Sequence, residues 1–211
     1  LNLTSCSKGN DLSSNPESSD LLAQIQERGS IIIAMEGTWA PWTYHDENDQ
    51  LVGYDVEVAQ LIADKLGVEA EFVEGEWDGL LAGLDAGRYD IMVNGVEITD
   101  DRAEKYDFSK PYAYNRTAVI TLINNNEIQA MSDLEGKQTA NTISSTYADL
   151  AEAYGAEVTG VDDLNQTFEL LLSGRIDATL NAEVTYYDYM KAHPDAQIKI
   201  AVLTKEASQT A

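Results

Sequence analysis

Two features of this sequence suit the binding of a carboxylate. Arg102 is one of only 13 basic residues, and its guanidinium is a rigid fork of donors that matches both oxygens of a carboxylate. The run Ser144-Ser145-Thr146 precedes a predicted helix, whose first amides lack internal partners and lie at the positive end of the dipole, so they favour an anion. Each feature also has a simpler interpretation. Arg102 follows two aspartates and could form a surface ion pair, and one of the three hydroxyls should cap the helix.

Aromatic side chains offer walls for a small-molecule site. The three tryptophans are Trp39, Trp42 and Trp77, and the first two flank Ala-Pro in the loop expected after the first strand. Large rings in a loop at the end of a strand suit a pocket for a small molecule. Packing in the core is the alternative. It applies most strongly to Trp42, because Trp39 and Trp77 stand close to glycines in predicted loops.

A short phrase occurs twice, 87 residues apart. Gly87-Arg88-Tyr89-Asp90 leads to Asn94, and Gly174-Arg175-Ile176-Asp177 leads to Asn181. Each copy follows an apolar run typical of a helix and enters one typical of a strand. A helix stop and a turn would explain one copy, whereas the matched context of both predicts two α/β halves. Ligands bind outside the carboxyl ends of the strands in such sheets, so Asn94 and Asn181 should face a crevice between the halves.

The elements that position these residues alternate between strand and helix. The first half predicts strands at 31–35, 68–72 and 91–93 and helices at 53–67 and 78–87. The second half predicts strands at 138–143, 157–161, 178–180 and 198–203 and helices at 145–154, 164–172 and 184–192. This alternation favours right-handed crossovers and two mostly parallel sheets flanked by helices. Between the halves, the β-favouring run 117–123 has no helix after it and is the first hinge candidate. The strand 198–203 should carry the chain back toward the first half.

The composition of the chain excludes several classes of partner and site. The 37 acidic residues against 13 basic ones give a formal charge of −24, which argues against nucleic acid as a partner, because that binding needs clustered cations. Cys6 is the only cysteine, so neither an intrachain disulfide nor a cysteine-based zinc site can form. Neither His45 nor His193 lies in a motif that indicates a catalytic triad. The sequence contains no apolar run of about 18 residues, so it predicts no membrane-spanning helix. We therefore expect no catalytic residue, metal or cofactor.

The first residues suggest a lipid anchor. Leu3-Thr4-Ser5-Cys6 resembles a bacterial lipobox, at which a secreted lipoprotein is cleaved before a cysteine that then carries lipid. The stretch that follows, up to Asp20, is rich in Ser, Asn, Asp and Gly, as a flexible tether should be. We expect residues 1–20 to be a lipobox remnant and tether, with the protein anchored through Cys6 to the surface of a bacterial membrane. A lone surface cysteine is the alternative, since the basic and apolar parts of a signal peptide do not precede it.

Six segments, taken in order, resemble the signature of the extracytoplasmic solute-binding proteins, family 3, that serve polar amino-acid ABC importers. They are Gly37–Trp42, Gly53–Glu57, Trp77–Leu80, Ile98–Arg102, Phe108–Tyr112 and Asp133–Lys137. Each segment alone is a weak indication, but the ordered set is specific, and the resemblance covers about residues 21–205. It implies an α/β, two-lobe periplasmic-binding-protein fold (type II) that closes on one amino acid, with the permease subunits of an ABC transporter as protein partners.

The resemblance also implies a division of the chain and roles for single residues. Lobe 1 is expected at 21–118, the first hinge strand at 119–123, lobe 2 at 124–203 and the second hinge or return segment at 204–211. The implied ligand-binding residues are Trp39 and Trp77 as walls, Asn94, Gly95 and Glu97 as the contact strand end of the first lobe, and Arg102, Ser145 and Thr146 on the α-carboxylate.

Two departures from the family's pattern concern the ligand. Where the family often has an aspartate for the ligand's ammonium group, this chain reads Asn181-Ala182-Glu183, so either Glu183 or Glu97 should supply the charge. The contact strand end reads Asn94-Gly95-Val96-Glu97 instead of a serine-rich sequence. This strand end and the Trp-Ala-Pro-Trp loop are most similar to members that take cystine or related polar amino acids.

A third departure concerns the C-terminus. The helices that return to the first lobe in the family are missing here, so part of that lobe should be uncovered. Exposed apolar area costs about 25 cal/mol per Å², which predicts a lower stability or an oligomer that hides this face. A shortened piece of a longer protein and a naturally short product both stay open as explanations.

Two other functions fit the same fold. A few proteins of this fold are dehydratases that use carboxylates in the cleft, and Glu97 with Glu183 could form an acid/base pair. Turnover of a bound ligand would distinguish such an enzyme from a receptor. The chain could also be the sensor domain of a signalling protein, which the lipobox and the lack of a membrane span disfavour. A receptor for a polar amino acid is the main prediction.

Overall fold

The computed structural model describes residues 20–211, so Cys6 and the lipobox lie outside the described residues. The part before the first crossing between the lobes comprises α1 (Leu21–Arg28), β1 (Ser30–Met35), β2 (Thr38–Trp39), β3 (Thr43–His45), β4 (Leu51–Val52), α2 (Tyr54–Leu66), β5 (Glu69–Glu74), α3 (Trp77–Asp85), β6 (Ile91–Met92), α4 (Asp100–Ala103) and β7 (Ala113–Asn115). The rest comprises β8 (Thr117–Leu122), a 3-10 helix (Met131–Leu134), β9 (Gln138–Asn141), α5 (Thr146–Ala153), β10 (Glu157–Gly160), α6 (Leu164–Leu172), β11 (Ala178–Ala182), α7 (Glu183–Ala192), β12 (Ile198–Leu203) and β13 (Ser208–Thr210). Within this range no helix is long and apolar enough to cross a membrane.

The first lobe is built on a parallel sheet in the order β5-β1-β6. Its central strand is rich in β-branched residues, which pack well on a pleated surface. Ile31, Ile33 and Met35 of this strand are buried in one cluster with Ala59 and Ala63 of α2. A small antiparallel sheet, β2-β3-β4, follows β1 in the chain. The sequence did not predict these short strands.

The second lobe has a five-stranded sheet in the order β10-β9-β11-β8-β12. Strands β10, β9 and β11 are parallel, whereas β8 pairs antiparallel with both β11 and β12. The prediction of a mostly parallel sheet therefore holds for the first lobe, but the second sheet is mixed. The predicted hinge strand at 119–123 is wrong. Val119 and Ile120 are fully buried in the middle of this sheet, because β8 is hydrogen-bonded along both of its edges.

Two short strands lie where the chain passes between the lobes. β7 pairs antiparallel with β13, and the chain enters the second lobe at Arg116, between β7 and β8. Strand β12 runs antiparallel to β8, from Ile198 beside Leu122 to Leu203 beside Ala118, so it carries the chain back toward the first lobe as predicted, although it belongs to the second sheet. The return is made within residues 204–211, where Thr210 of β13 forms a bridge with Glu97 of the first lobe. We refer to β7 and β13 as the crossover strands.

The repeated phrase has the same structural role in both lobes. The Asp90 amide donates to the Ile32 carbonyl at 2.9 Å, and the Asp90 carboxylate accepts from the Ile32 amide at 2.7 Å. In the second lobe, the Asp177 amide donates to the Gln138 carbonyl at 2.8 Å, and the Asp177 carboxylate accepts from the Gln138 amide at 2.9 Å. Each aspartate therefore fixes the register of its strand on a neighbouring strand. The repeat reflects two lobes that are built alike.

Candidate functional site

A cleft lies between the two lobes, and residues from both lobes and from the crossover strands line it. They are Glu36, Trp39, Trp42, Trp77, Gly95, Glu97 and Arg102 of the first lobe, Asn141, Thr142, Ser145, Thr146, Tyr147, Asp163, Leu164, Thr167 and Asn181 of the second, and Asn115, Ser208 and Thr210 of the crossover strands. Of the residues predicted to bind ligand, all except Asn94 and Glu183 line this cleft.

The aromatic wall is built around Trp39. Its ring lies against Gly95, where an added Cβ would come within 2.6 Å of the indole carbon Cζ3. Gly95 also has a φ of 57°, a backbone conformation that glycine adopts most easily. The indole Nε1 of Trp39 donates to Oδ1 of Asn181 in the other lobe at 3.1 Å. The ring centroid of Trp42 lies 5.6 Å from that of Trp39, and Trp42 is 5% exposed, so it is both a core residue and a cleft residue.

Arg102 is held in the cleft by backbone carbonyls and an aromatic ring. Its Nη1 donates to the Glu97 carbonyl at 3.1 Å, and its Nη2 donates to the Ser144 carbonyl of the second lobe at 3.3 Å. Its Cζ lies 5.2 Å from the centroid of the Trp77 ring, within the range of a cation–π contact. Burial lowers the pKa of the Arg102 guanidinium, and the Glu97 and Asp149 carboxylates oppose that shift.

No carboxylate within the described range pairs with Arg102. The five ion pairs found in residues 20–211 involve other side chains. The simpler interpretation of Arg102, a surface ion pair, is therefore not what the structure shows. A partly buried guanidinium without a carboxylate partner is a favourable place for a ligand carboxylate, because charge-assisted bonds are strongest where water is excluded.

The three hydroxyls before α5 have different roles. Ser145 is the N-cap, since its Oγ accepts from the Ala148 amide at 3.2 Å and donates to the Thr142 carbonyl at 2.6 Å. Ser144 Oγ donates to Oδ1 of Asp78 in the first lobe at 2.5 Å. The side chain of Thr146 makes no hydrogen bond with any residue from 20 to 211, so its hydroxyl stays available in the cleft.

Asn94 does not reach the cleft, contrary to the prediction. It is fully buried, and its Oδ1 accepts from the Glu36 amide at 2.8 Å and from Thr43 Oγ1 at 3.2 Å. Its Nδ2 donates to Oε2 of Glu36 at 2.7 Å. Because both the oxygen and the nitrogen of the Asn94 amide are bonded within the first lobe, this side chain holds another residue in place instead of contacting a ligand. The residue that Asn94 holds in the cleft is Glu36.

Glu36 is a cleft residue that the sequence analysis missed. Burial raises the pKa of its carboxyl to about 7, the Asn94 hydrogen bond opposes that rise, and the Asp163 and Asp78 carboxylates add to it. A signal was present in the sequence. Glu36 directly follows β1, and ligands bind beyond the carboxyl ends of parallel strands. Asp163 of the second lobe, which caps the start of α6, also lines the cleft and was also missed by the sequence analysis.

Glu183 is not in the cleft, so the prediction that it could hold the ligand's ammonium group is wrong. Its two carboxylate oxygens accept from Nε and Nη2 of Arg116 at 2.9 and 2.6 Å. This bidentate pair satisfies the charge of Glu183 at the start of α7. The acid/base pair of Glu97 with Glu183 is not formed either. Among residues 20–211, no cluster of three or more His, Cys, Asp or Glu side chains is arranged to hold a metal ion.

Tyr147 completes the second-lobe wall and was not predicted. Its ring meets that of Trp39 edge-on, with centroids 6.5 Å apart, and burial raises the pKa of its hydroxyl well above the ordinary value. It belongs to an apolar cluster that spans the cleft and includes Trp42 and Ala182. With the bonds of Trp39 to Asn181, of Ser144 to Asp78 and of Arg102 to Ser144, this cluster holds the two lobes in direct contact.

A two-lobe α/β fold with a polar and aromatic cleft between the lobes defines a protein that encloses a small ligand. The chain belongs to the bacterial extracellular solute-binding proteins, family 3, whose family model matches residues 31–159. It is 40% identical over 211 residues to the L-cystine-binding protein TcyA of Bacillus subtilis (strain 168), which covers 99% of this chain and 78% of that protein. The predicted family and fold class are confirmed.

Two solved structures bear on the arrangement of the lobes. An ancestral arginine-binding protein bound to arginine superposes with a TM-score of 0.81 at 33% identity, over 87% of this chain and 83% of that one. The L-cystine solute receptor of Neisseria gonorrhoeae, in its unliganded open conformation, is 38% identical over 91% of this chain and 82% of that one, but gives a TM-score of 0.56. The higher similarity to the ligand-bound structure, despite its lower identity, agrees with the direct contacts between the lobes and indicates a closed arrangement.

Proposed function

We propose that this protein is an extracytoplasmic receptor that binds a polar amino acid in the interlobe cleft and delivers it to an ABC importer. The observation that carries the proposal is Arg102, a guanidinium held in the cleft by carbonyls of both lobes, with no carboxylate partner among the described residues. An α-carboxylate is the natural partner for such a group. The protein is a binding protein and not an enzyme in this account, since binding and release change no covalent bond.

The cleft suggests a place for each part of an amino acid. The carboxylate lies at Arg102, with the Thr146 hydroxyl and the free amides at the start of α5 as further donors. Trp39 and Trp77 form the walls. The ammonium group faces the carboxylates of the cleft, Glu36 and Glu97, because an opposite charge in a site sheltered from water stabilises it most.

L-Cystine is the ligand that we favour. TcyA, the relative that aligns with 99% of this chain, is named for L-cystine, and so is the receptor structure that is 38% identical. L-Cystine carries two ammonium groups and two carboxylates, and the cleft offers Glu36, Glu97 and Asp163 for the ammonium groups and Arg102 with the amides at the start of α5 for a carboxylate. Its soft disulfide sulfurs also suit a wall of indole and phenol rings. L-Arginine, which the ancestral protein binds, is the natural competitor because it shares the carboxylate and a second positive group.

The two crossover strands are the proposed hinges. We place lobe 1 before residue 113 and lobe 2 from 117 to 203, because β8 and β12 belong to the sheet of lobe 2. Hinge closure of this kind is driven by a ligand that contacts both lobes and therefore binds the closed state more tightly. The contacts that Trp39, Arg102 and Asp78 make across the cleft are then contacts of the closed state.

We also propose that the protein is a lipoprotein, anchored to a bacterial membrane through lipid on Cys6. The support is the lipobox-like sequence before this cysteine and the polar stretch after it. The charge of −24 makes nucleic acid an unsuitable partner in this account. Fractionation of cells that express the whole protein tests the anchor. We expect the protein in the membrane fraction and the Cys6→Ser variant in the soluble fraction; equal distribution of the two would contradict the anchor.

A ligand screen tests the proposed function. Native mass spectrometry of protein purified without refolding should show a bound mass equal to that of an amino acid. The midpoint temperature of thermal unfolding should then rise when L-cystine is added, because a ligand that binds only the folded state stabilises that state. L-Arginine and L-glutamine serve as related amino acids, and glutarate and glucose as controls that should give no shift. A shift with glucose or glutarate and none with any amino acid would contradict the proposal, and turnover of bound L-cystine would indicate an enzyme instead.

A further inference from the structure

Asp55 is a buried carboxylate that the proposed binding mechanism does not use. It lies in the first turn of α2 and is 0% exposed, and none of the ion pairs within residues 20–211 includes it. A buried charge is costly unless donors satisfy it. Two donors do so here, because the Gly95 amide donates to Oδ2 and the Tyr112 hydroxyl donates to Oδ1 at 3.0 Å. Burial raises the pKa of the carboxyl to about 7, and both hydrogen bonds oppose that rise.

The two donors belong to different functional parts of the molecule. Gly95 lines the cleft and lies under the ring of Trp39. Because its N–H is bonded to Asp55, the direction of this peptide unit in the cleft is set from inside the lobe. Tyr112 is the residue directly before the crossover strand β7. One carboxylate therefore contacts both the ligand-facing strand end and the start of a crossover.

Tyr112 is itself tied to the second crossover strand. Its amide donates to the Thr210 carbonyl of β13 at 2.9 Å, and its own carbonyl accepts from the Tyr54 hydroxyl at 3.2 Å. Thr210 in turn bridges Glu97 of the cleft. The contacts close a ring that runs from Gly95 through Asp55, Tyr112 and Thr210 to Glu97. Both ends of the cleft segment 95–97 are thereby attached to the crossovers.

We propose that Asp55 is a positioning residue that couples the ligand-contacting segment 95–97 to both crossover strands. Its carboxylate accepts two bonds at once, so that the strand end and the crossovers keep one relative geometry. The role of segment 95–97 in contacting the ligand rests on the proposed function. The tie itself rests only on the contacts of Asp55, Tyr112 and Thr210.

Replacement by asparagine separates charge from shape. Asp55→Asn keeps the size of the side chain but turns one acceptor into an NH₂ donor, which must face either the Gly95 amide or the Tyr112 hydroxyl. Leaving a buried donor without its acceptor costs enough free energy to weaken ligand binding about tenfold, if binding depends on this geometry. Glu57→Gln is the matched control, because it removes one negative charge from the same turn of α2 at an exposed position.

The test combines amide NMR with calorimetry. In the wild type, the Gly95 amide proton shift should titrate with a midpoint near pH 7, following Asp55. Tyr112, which precedes β7, is the titratable side chain bonded to Asp55, and Tyr54 lies against Tyr112. Glu36 is also close to Gly95, because it is bonded to the neighbouring Asn94, and its pKa is likewise raised to about 7. In Asp55→Asn the titration of the Gly95 shift should therefore shrink to the part contributed by Glu36. The Tyr112 amide should exchange with solvent at least about tenfold faster. The affinity for L-cystine should fall about tenfold or more, whereas Glu57→Gln should leave all three quantities unchanged.

Two further points keep the outcomes distinct. If Asp55→Asn does not fold, Tyr112→Phe removes one of the two donors and should raise the midpoint of the Gly95 titration and weaken L-cystine binding. If wild-type protein binds no L-cystine, the proposed ligand is wrong, and the Gly95 titration and the Tyr112 exchange rate still decide on the tie. Tyr112 exchange in Asp55→Asn at the wild-type rate, or a Gly95 amide shift that is the same in Asp55→Asn as in the wild type at every pH, would overturn the proposal.

Discussion

Arg102 and Ser144 meet across the cleft, where Nη2 of the guanidinium donates to the Ser144 carbonyl of the other lobe at 3.3 Å. The same serine donates its hydroxyl to Asp78 of the first lobe at 2.5 Å, and its amide also faces that carboxylate at 3.2 Å. Ser144 of the second lobe is therefore hydrogen-bonded to two residues of the first lobe, Arg102 and Asp78. The residue proposed to hold the ligand carboxylate also contacts the opposite lobe, so ligand binding and closure share one side chain.

Asp78→Ala removes the acceptor for two of these bonds. We expect L-cystine to bind about 2- to 10-fold more weakly, because a solvent-accessible hydrogen bond between lobes contributes on the order of 1 kcal/mol. The loss should appear as faster release, since the bonds form only in the closed state. Stopped-flow tryptophan fluorescence measures the release rate. Glu76→Ala, which removes an exposed carboxylate from the position before α3, is the control; equal release rates in both variants would contradict a closing role for Asp78.

Gly95→Ala probes the contact between the strand end and Trp39. The added Cβ would lie 2.6 Å from the indole ring, and the φ of 57° would be strained with any side chain. We expect a loss of about 1–3 kcal/mol in the free energy of unfolding, together with weaker ligand binding. Chemical denaturation measures the first quantity. Gly79→Ala is the control, because nothing lies within 4 Å of its added Cβ and alanine favours a helix, so this variant should be at least as stable as the wild type.

Glu36 should make the protein more stable in mild acid than at higher pH. Its folded-state pKa of about 7 lies above its ordinary value of 4.5, so the folded state binds more protons between these values. Stability should therefore rise as the pH falls from about 8 toward 5, by up to about 1.4 kcal/mol per pH unit for one group. Asp55 acts in the same direction.

Denaturation curves between pH 5 and 8 check this sign in the wild type and in Glu36→Gln. The variant should show a shallower dependence of stability on pH, because one of the groups that titrate in this range is gone. Glu183→Gln is the control, since Arg116 already neutralises that carboxylate. A pH dependence in Glu36→Gln equal to that of the wild type would show that Glu36 is not a titrating group of the fold.

Periodicity predicted most of the larger elements, although not α1, and among the shortest strands it predicted only β6. Helix α6 and strand β12 have the predicted bounds, because an apolar helical stripe and a β-branched run are unambiguous over that length. The strands β2 to β4 are two or three residues long, too short for any period to show. The hinge predicted at 119–123 falls inside the second sheet, because a mostly apolar, β-favouring run is equally typical of a strand buried at the centre of a sheet.

The sequence predicted correctly which strand ends and loops face the cleft. It did not predict which way individual side chains point from them. Arg102 and Thr146 line the cleft as expected. Asn94 ends a strand as predicted, but its side chain turns inward and holds Glu36. Glu183 was misplaced because its partner, Arg116, is 67 residues away in the sequence, and no local pattern indicates such a pair.

Isothermal titration of L-cystine into the wild type, Arg102→Ala and Arg175→Ala tests the central claim most directly. Arg175 is an exposed arginine of the second repeat that does not line the cleft, so its variant removes the same charge outside the binding site. If Arg102 holds the ligand carboxylate, Arg102→Ala should lose about 2–5 kcal/mol of binding free energy, while Arg175→Ala should bind as the wild type does. Equal affinity of Arg102→Ala and the wild type for L-cystine would contradict the account.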